Sequence, residues 1–156
     1  MPDVRSVPSD YVVPLRTRVL RPYYPPGRRA TYPEDDAQGT FHAAAFVGRQ
    51  VHATATIYPE APPEALRGEV PEAAYASGAA YRLRGMASSP EARGSGLGRA
   101  VLEACAAHVR SAGAVFLWCN ARVGALGFYR RVGWKAVGDE FDIPEIGGHY
   151  VMWTRA

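Results

Sequence analysis

The chain has 156 residues, of which 47% are hydrophobic, and it carries a formal net charge of +3 at pH 7. This length and apolar content predict one globular domain, 1–156. They exclude general disorder and a membrane-spanning helix, because no apolar run approaches about 18 residues. The arginines are spread along the chain without the basic stripe and aromatic platforms of a nucleic-acid surface, so we expect no nucleic-acid partner.

Residues 1–5 lack the apolar segment of a secretory signal, which predicts a cytoplasmic protein with no membrane partner. The two cysteines, Cys105 and Cys119, fall in a predicted helix and a predicted strand. Free cysteines are among the most buried residue types, so we expect two reduced core thiols. A nucleophilic Cys119 is the alternative, but no histidine lies near it in the predicted topology.

The first half of the chain predicts one helix and one β-hairpin. A short helix over residues 12–20 stops at Pro22, and the prolines that follow exclude regular structure. Residues 40–47 and 50–58 predict two strands that turn at Gly48. The second strand has one apolar and one polar face, because two sets of side chains alternate along it: Val51, Ala53, Ala55 and Ile57 with His52, Thr54, Thr56 and Tyr58.

Residues 59–80 are rich in proline, alanine, glutamate and glycine, and we interpret them as a surface loop with room for one helical turn. Residues 81–88 predict the next strand, with a bulge at Gly85. The sequence does not indicate a role for the 59–80 loop.

The second half predicts helices and strands in alternation. Apolar residues at every fourth position from Leu97 predict an amphipathic helix that ends at Gly113. Residues 115–119 predict a strand covered on both faces, and a second helix ends at Gly133. Strands at 134–137 and 149–154 complete the sheet. The pattern predicts an α/β (α+β) fold, with a mixed, mostly antiparallel central sheet flanked by helices.

A glycine-rich loop, Arg93-Gly94-Ser95-Gly96-Leu97-Gly98-Arg99, lies between a predicted strand and the amphipathic helix. Alternate glycines let the backbone approach a ligand closely, because no Cβ intervenes. At a helix start, such a loop directs free N–H groups and the positive end of the helix dipole at an anion. The loop therefore predicts a phosphate-bearing ligand.

Two common phosphate-binding motifs do not fit this loop. A P-loop needs a lysine followed by a hydroxyl residue, and no such pair occurs nearby. A dinucleotide fingerprint needs a third glycine where Arg99 stands, and it also needs an acidic residue about 20 positions further on. A general nucleotide-binding protein is therefore excluded.

The loop instead matches R-x-x-G-x-G, with Arg93, Gly96 and Gly98 at the key positions, and resembles the acetyl-CoA pyrophosphate loop of the GNAT N-acetyltransferase superfamily. Residues 86–91, an apolar strand end before Pro-Glu, are similar to the segment that precedes this loop in the family. Residues 127–134 resemble the family's F-Y-x-x-x-G-F signature, with Trp134 at the last position. The resemblance implies the GNAT fold and an N-acetyltransferase that moves acetyl directly from acetyl-CoA to a primary amine, without a metal.

The resemblance also implies roles for individual residues. The backbone of Met86, Ala87 and Ser88 would pair with the pantetheine arm and face the thioester carbonyl. The amides of Gly94, Ser95, Gly96, Leu97, Gly98 and Arg99 would hold the pyrophosphate, with charge from Arg93 and Arg99. Tyr129 would protonate the departing thiolate. Many family members carry a cofactor-binding asparagine where this chain has Arg122, so Asn120 and Arg122 are both candidates for that contact.

The acceptor amine and its base stay open. An alkyl amine with a pKa of about 10.4 is protonated at pH 7 and must lose its proton before it can attack. The candidate bases are His42, His52, Glu140, Asp142, His149 and water. Glu140 and Asp142 fall between the last two predicted strands, so we expect them to lie in a turn. The acceptor is a small molecule or a peptide, a homodimer is one possible assembly, and a non-catalytic acyl-CoA sensor on the same fold is the alternative function.

Overall fold

The computed structural model describes residues 1–156 and contains seven strands and three α-helices. Their bounds are β1 Asp3–Ser6, α1 Ser9–Leu20, β2 Phe41–Val47, β3 Gln50–Pro59, β4 Ala80–Ser88, α2 Leu97–Ser111, β5 Phe116–Arg122, α3 Leu126–Arg131, β6 Lys135–Ile143 and β7 Gly147–Arg155. The strands follow the order β1-β2-β3-β4-β5-β7-β6 in one sheet. Strands β4 and β5 pair in parallel, whereas β1–β2, β2–β3, β5–β7 and β6–β7 are antiparallel pairs. This confirms the predicted mixed, mostly antiparallel sheet.

The residues group into two compact units, each built from two segments of the chain. The first unit comprises 1–58 and 83–108, and the second comprises 59–82 and 109–156. The prediction of a single domain over 1–156 stays a prediction. None of the helices has the length and apolar character that crossing a bilayer requires.

In the first unit, α1 packs on the hairpin of β2 and β3. Val12 and Val13 on α1 contact Ala44 and Phe46 on β2. The hairpin turns at Gly48 and Arg49, as predicted, and Gly48 has the positive φ of +62° that such tight turns need. The short strand β1 pairs with β2 and was not predicted.

The polar face of β3 in the first unit is buried. Thr54 and Thr56 have 0% and 1% of their surface exposed. Thr54 donates a hydrogen bond to the Gly85 carbonyl at 3.0 Å, and Thr56 accepts one from the guanidinium of Arg16 at 2.8 Å. Arg16 is itself fully buried, so the part of this face formed by Thr54 and Thr56 binds a charged side chain and does not face solvent.

In the second unit, the chain between β3 and β4 is mostly exposed and forms no α-helix or strand, as predicted for a surface loop. The segment contains two 3₁₀ turns, Glu64–Leu66 and Glu72–Tyr75. Val70 and Ala74 are buried in a cluster with Phe116 and Trp118 of β5. The proline-rich composition gave no sign that these apolar residues would be buried, because their burial depends on a strand far away in the chain.

Two more boundaries in the second unit differ from the predictions. Strand β5 runs to Arg122, three residues beyond the predicted end. Glu140 and Asp142 lie within strand β6 and not in a turn. The strand continues because the pairing with β7 shifts register between Val137 and Phe141 and then resumes, which a simple alternation pattern does not reveal.

Candidate active site

The glycine loop joins β4 to α2 in the first unit. A 3₁₀ turn, Pro90–Ala92, follows β4, and α2 begins at Leu97. Gly94 and Gly96 have φ angles of +80° and +86°, a region that glycine enters at little cost and other residues rarely adopt. The loop conformation therefore requires glycine at these two positions.

The loop leaves several N–H groups without acceptors. The N–H of Ser95 donates to the Ala92 carbonyl at 3.1 Å, and that of Ala100 donates to Gly96 at 3.0 Å. Four other N–H groups in and beside this turn, those of Gly94, Gly96, Gly98 and Arg99, have no acceptor in the protein. These donors stand at the start of a 15-residue helix, where the dipole adds positive potential. The arrangement is suited to an anion with several oxygens.

Two arginines lie beside this loop, and one was not predicted. A cavity of about 240 Å³ is lined by Arg93, by Pro90 and Glu91 of the 3₁₀ turn, and by Arg18 and Val19 near the end of α1. Arg18 is 75 positions from Arg93 in the chain, so no local pattern connects them. The predicted contributor Arg99 instead pairs with Glu103 at 3.2 Å, and both side chains are about two-thirds exposed.

The strand end that precedes the loop is fixed to β3. Ser89 directly follows Met86, Ala87 and Ser88, the last three residues of β4. Its N–H donates to the His52 carbonyl at 2.8 Å, and its hydroxyl lies 2.7 Å from His52 Nδ1. Ser89 is fully buried. These bonds hold the predicted thioester-binding residues in a fixed position relative to the loop.

Tyr129 lies in the second unit, on α3, with 6% of its surface exposed. Its ring packs against Phe128 and Trp134, with centroid distances of 5.3 and 5.1 Å. Its hydroxyl hydrogen-bonds the thiol of Cys119 on β5. The phenol therefore already has a sulfur partner within the protein.

The cysteines are free and buried, as predicted. Burial raises the pKa of Cys119 to about 12, although the hydrogen bond from Tyr129 opposes the change. Burial also raises the pKa of Cys105 to about 12. Thiolates, not thiols, are the nucleophiles, so burial and the raised pKa argue against a nucleophilic Cys119.

Asn120 and Arg122 are also in the second unit, at the end of β5. The Asn120 Oδ1 atom is buried and accepts no hydrogen bond in the protein. Buried polar atoms are seldom left unpaired, so this oxygen indicates a missing donor. Arg122 is partly exposed and is the last residue of the strand.

The structure removes His42 from the candidate bases. It is 5% exposed, and both ring nitrogens are engaged, Nδ1 with the Thr56 hydroxyl and Nε2 with the Asp35 carbonyl, each at 2.8 Å. His149 is 3% exposed, with Nδ1 bonded to the Gly147 carbonyl at 2.7 Å. Both nitrogens of His42 are therefore unavailable to an amine.

The three other candidate bases retain accessible atoms. His52 is partly exposed and uses only Nδ1, in its contact with Ser89. Glu140 and Asp142 are exposed on β6. No group of three or more histidine, cysteine, aspartate or glutamate side chains is arranged to hold a metal ion.

Comparison with known proteins decides the family. The model of the acetyltransferase (GNAT) family matches residues 10–134. The chain belongs to this family. The predicted membership of the GNAT superfamily is thereby confirmed, and so is the predicted enzyme class, an N-acetyltransferase.

The chain is similar along nearly its whole length to other acetyltransferases of similar size. It is 32% identical over 153 residues to the uncharacterized N-acetyltransferase YitI of Bacillus subtilis, covering 98% of this chain and 95% of YitI. An aminoglycoside 6'-N-acetyltransferase solved with coenzyme A superposes with a TM-score of 0.70 at 11% identity, covering 98% and 96% of the two chains. Escherichia coli ElaA gives 0.70 at 13% identity, covering 98% and 99%. These structures confirm the predicted fold.

Proposed function

We propose that this protein transfers an acetyl group from acetyl-CoA directly to a primary amine. The observation that carries the proposal is the set of four unpaired N–H groups at the start of α2, on the loop that matches the family's pyrophosphate motif. A diphosphate offers several acceptor oxygens and negative charge to such a site. The aminoglycoside acetyltransferase of the same fold was solved with coenzyme A, which agrees with this ligand.

In the proposed binding mode, different residues contact the pyrophosphate, the pantetheine arm and the thioester of acetyl-CoA. The amides of Gly94, Gly96, Gly98 and Arg99 bind the pyrophosphate, and Arg93 and Arg18 add positive charge beside it. The backbone of residues 86–88 pairs with the pantetheine arm as an added strand would. One N–H group of this segment donates to the thioester oxygen and stabilises its developing negative charge.

Asn120 and Arg122 complete the proposed cofactor contacts. The unpaired Asn120 Oδ1 accepts a hydrogen bond from an amide N–H of the pantetheine arm. Arg122 offers positive charge to a phosphate. The support for Asn120 is stronger, because its buried oxygen lacks a donor in the protein alone.

In the proposed reaction, the neutral amine nitrogen attacks the thioester carbon, the C–N bond forms and the C–S bond breaks. The sulfur takes the bonding pair, and the Tyr129 hydroxyl donates its proton to the thiolate. A phenol has a pKa of about 10 and a thiol about 8.5, so the transfer is uphill by roughly 2 kcal/mol. That difference is acceptable when negative charge is developing on sulfur.

One observation favours the second candidate function, a non-catalytic acyl-CoA sensor. Tyr129 is almost fully buried, and its hydroxyl already bonds Cys119, as expected of a packing residue. A sensor would bind acetyl-CoA with the same loop and would release no free thiol in the presence of amines.

A thiol-release assay with acetyl-CoA separates the two functions. The amines are ethanolamine, spermidine, L-lysine amide, L-alanine amide and kanamycin, which represent small amines, protein lysines, peptide termini and antibiotics. We expect at least one to give amine-dependent thiol release and an acetylated product by mass spectrometry. Acetyl-CoA binding by calorimetry without turnover of any amine would favour the sensor. A cytoplasmic location and a homodimer remain predictions.

A further inference from the structure

Glu34, in the segment between α1 and β2, has an unpaired carboxylate oxygen. Its Oε1 atom is buried and accepts no hydrogen bond in the protein, although 36% of the side chain is exposed. Leaving a buried carboxylate oxygen without a donor is unfavourable, so such atoms call for an explanation. A donor that arrives with a ligand is one explanation.

The backbone around Glu34 is fixed, so this oxygen has a defined place. The Glu34 carbonyl accepts hydrogen bonds from the N–H of Ala37 at 3.0 Å and from the hydroxyl of Thr40 at 2.7 Å. The next residue, Asp35, is bound through both oxygens by the buried guanidinium of Arg16, at 2.8 and 3.0 Å. The Asp35 carboxylate also accepts the Tyr32 N–H at 2.8 Å. Glu34 thus lies on a segment that is anchored on both sides.

Arg84 of β4 is the cation nearest to Glu34, but it does not satisfy the oxygen. Its Nη1 lies 3.9 Å from Oε1, which is beyond hydrogen-bond distance. The Arg84 guanidinium instead stacks on the Tyr32 ring, 3.8 Å from the centroid, and Arg16 stacks on the same ring at 4.1 Å. Tyr32 therefore holds Arg84 away from direct pairing, and Oε1 keeps its capacity to accept an N–H group.

Arg84 lies between Glu34 and the β4 residues to which the proposed function assigns the acetyl thioester. Arg84 is two residues before Met86, the first of the β4 residues that the proposed function assigns to the acetyl thioester. The amine must approach the thioester carbon while losing a proton. A carboxylate oxygen accepts and does not donate, so it can receive an N–H bond and then that proton.

We propose that Glu34 binds the acceptor amine and takes the proton that the nitrogen loses as the C–N bond forms. The amine enters neutral, the C–S electron pair passes to sulfur, and Tyr129 protonates the sulfur; the step leaves Glu34 protonated and Tyr129 as the phenolate, so the net charge is unchanged. This inference rests on the proposed function and names the base for it. The sequence alone did not suggest Glu34, because its unpaired oxygen appears only once Tyr32 and Arg84 are in contact.

The test compares three variants with the parent protein, using the panel amine that the parent acetylates fastest. Glu34→Gln keeps the shape and removes the negative charge. Glu34→Ala leaves space for added sodium formate, a carboxylate that can replace a deleted base. The matched control is Asp36→Asn, which alters an exposed carboxylate two residues away that bonds only Ser9. Circular dichroism and calorimetric Kd for acetyl-CoA report the fold and the cofactor site.

We expect Glu34→Gln to lower kcat/KM for the amine by about 10²–10⁴-fold, with parent-like acetyl-CoA affinity. Formate should raise the rate of Glu34→Ala and not that of the parent, and Asp36→Asn should match the parent. An unchanged kcat/KM in Glu34→Gln, a loss without formate rescue in Glu34→Ala, or a loss of fold or acetyl-CoA affinity would each overturn the assignment of Glu34 alone. A parent protein that acetylates no amine would overturn the proposed function, and this inference with it.

Discussion

Gly85 on β4 provides the space that the guanidinium of Arg16 occupies. A Cβ built on Gly85 would lie 2.6 Å from Arg16 Nε, closer than real Cβ atoms approach nonbonded heavy atoms. Arg16 cannot move aside, because it donates hydrogen bonds to Ala30, Asp35 and Thr56. The glycine that interrupts the predicted strand thus permits a buried charged network in the first unit.

We expect Gly85→Ala to destabilise the protein by about 2–5 kcal/mol, the sum of a strained φ of +63° and a displaced Arg16. Urea unfolding measures the change. Gly48→Ala is the matched control, since Gly48 has a φ of +62° and open space around its Cβ position. If the two variants lose equal free energy, the Arg16 contact is not a determinant of stability.

The Arg16–Asp35 pair should make stability depend on pH. Burial alone would raise the pKa of Asp35, but the hydrogen bonds from Arg16 and the Tyr32 N–H, together with the Arg16 charge, hold it below its usual value. A lowered folded-state pKa contributes stability above the unfolded pKa of about 3.9, and this stability is lost as pH falls through the folded-state pKa. We therefore expect the free energy of unfolding to decrease as the pH falls below about 4.

Asp35→Asn tests the pair directly. The variant leaves a buried guanidinium without its counter-charge, and we expect a loss of about 3–5 kcal/mol at pH 7 in urea unfolding. The acid-dependent decrease expected for the parent should also become shallower. Asp36→Asn should cost about 1 kcal/mol or less, because it removes one exposed hydrogen bond. A loss in Asp35→Asn as small as this would contradict the prediction.

The glycine loop gives a third prediction. Gly98 lies in the first turn of α2 without a positive φ, so valine there blocks ligand approach without straining the backbone conformation. We expect Gly98→Val to abolish acetyl-CoA binding in calorimetry while circular dichroism stays native. Ala107→Val, an exposed position of the same helix, should bind like the parent. Undiminished affinity in a folded Gly98→Val protein would reject the loop as the pyrophosphate site.

The sequence predicted those features that depend on local pattern. The apolar stripe of Leu97, Val101, Cys105 and Val109 predicted α2, because one face of a helix repeats every three to four residues. The alternating glycines predicted the loop, because glycine allows backbone conformations that other residues avoid. The burial of Val70 and the engagement of both His42 nitrogens could not be read in this way. Each depends on partners that the fold brings from elsewhere in the chain, Phe116 and Trp118 for Val70, and Asp35 and Thr56 for His42.

Tyr129→Phe separates catalysis from packing. Phenylalanine keeps the ring against Trp134 and removes the hydroxyl that bonds Cys119. If the phenol protonates the leaving thiolate, turnover in the thiol-release assay should fall by about 10²–10⁴-fold, with acetyl-CoA affinity nearly unchanged. Tyr75→Phe controls for loss of a tyrosine hydroxyl in the same unit, since it removes only the bond to the Pro63 carbonyl, and it should keep parent turnover. Parent-like turnover in Tyr129→Phe would make the residue a packing element, and a loss confined to cofactor affinity would make it a binding one.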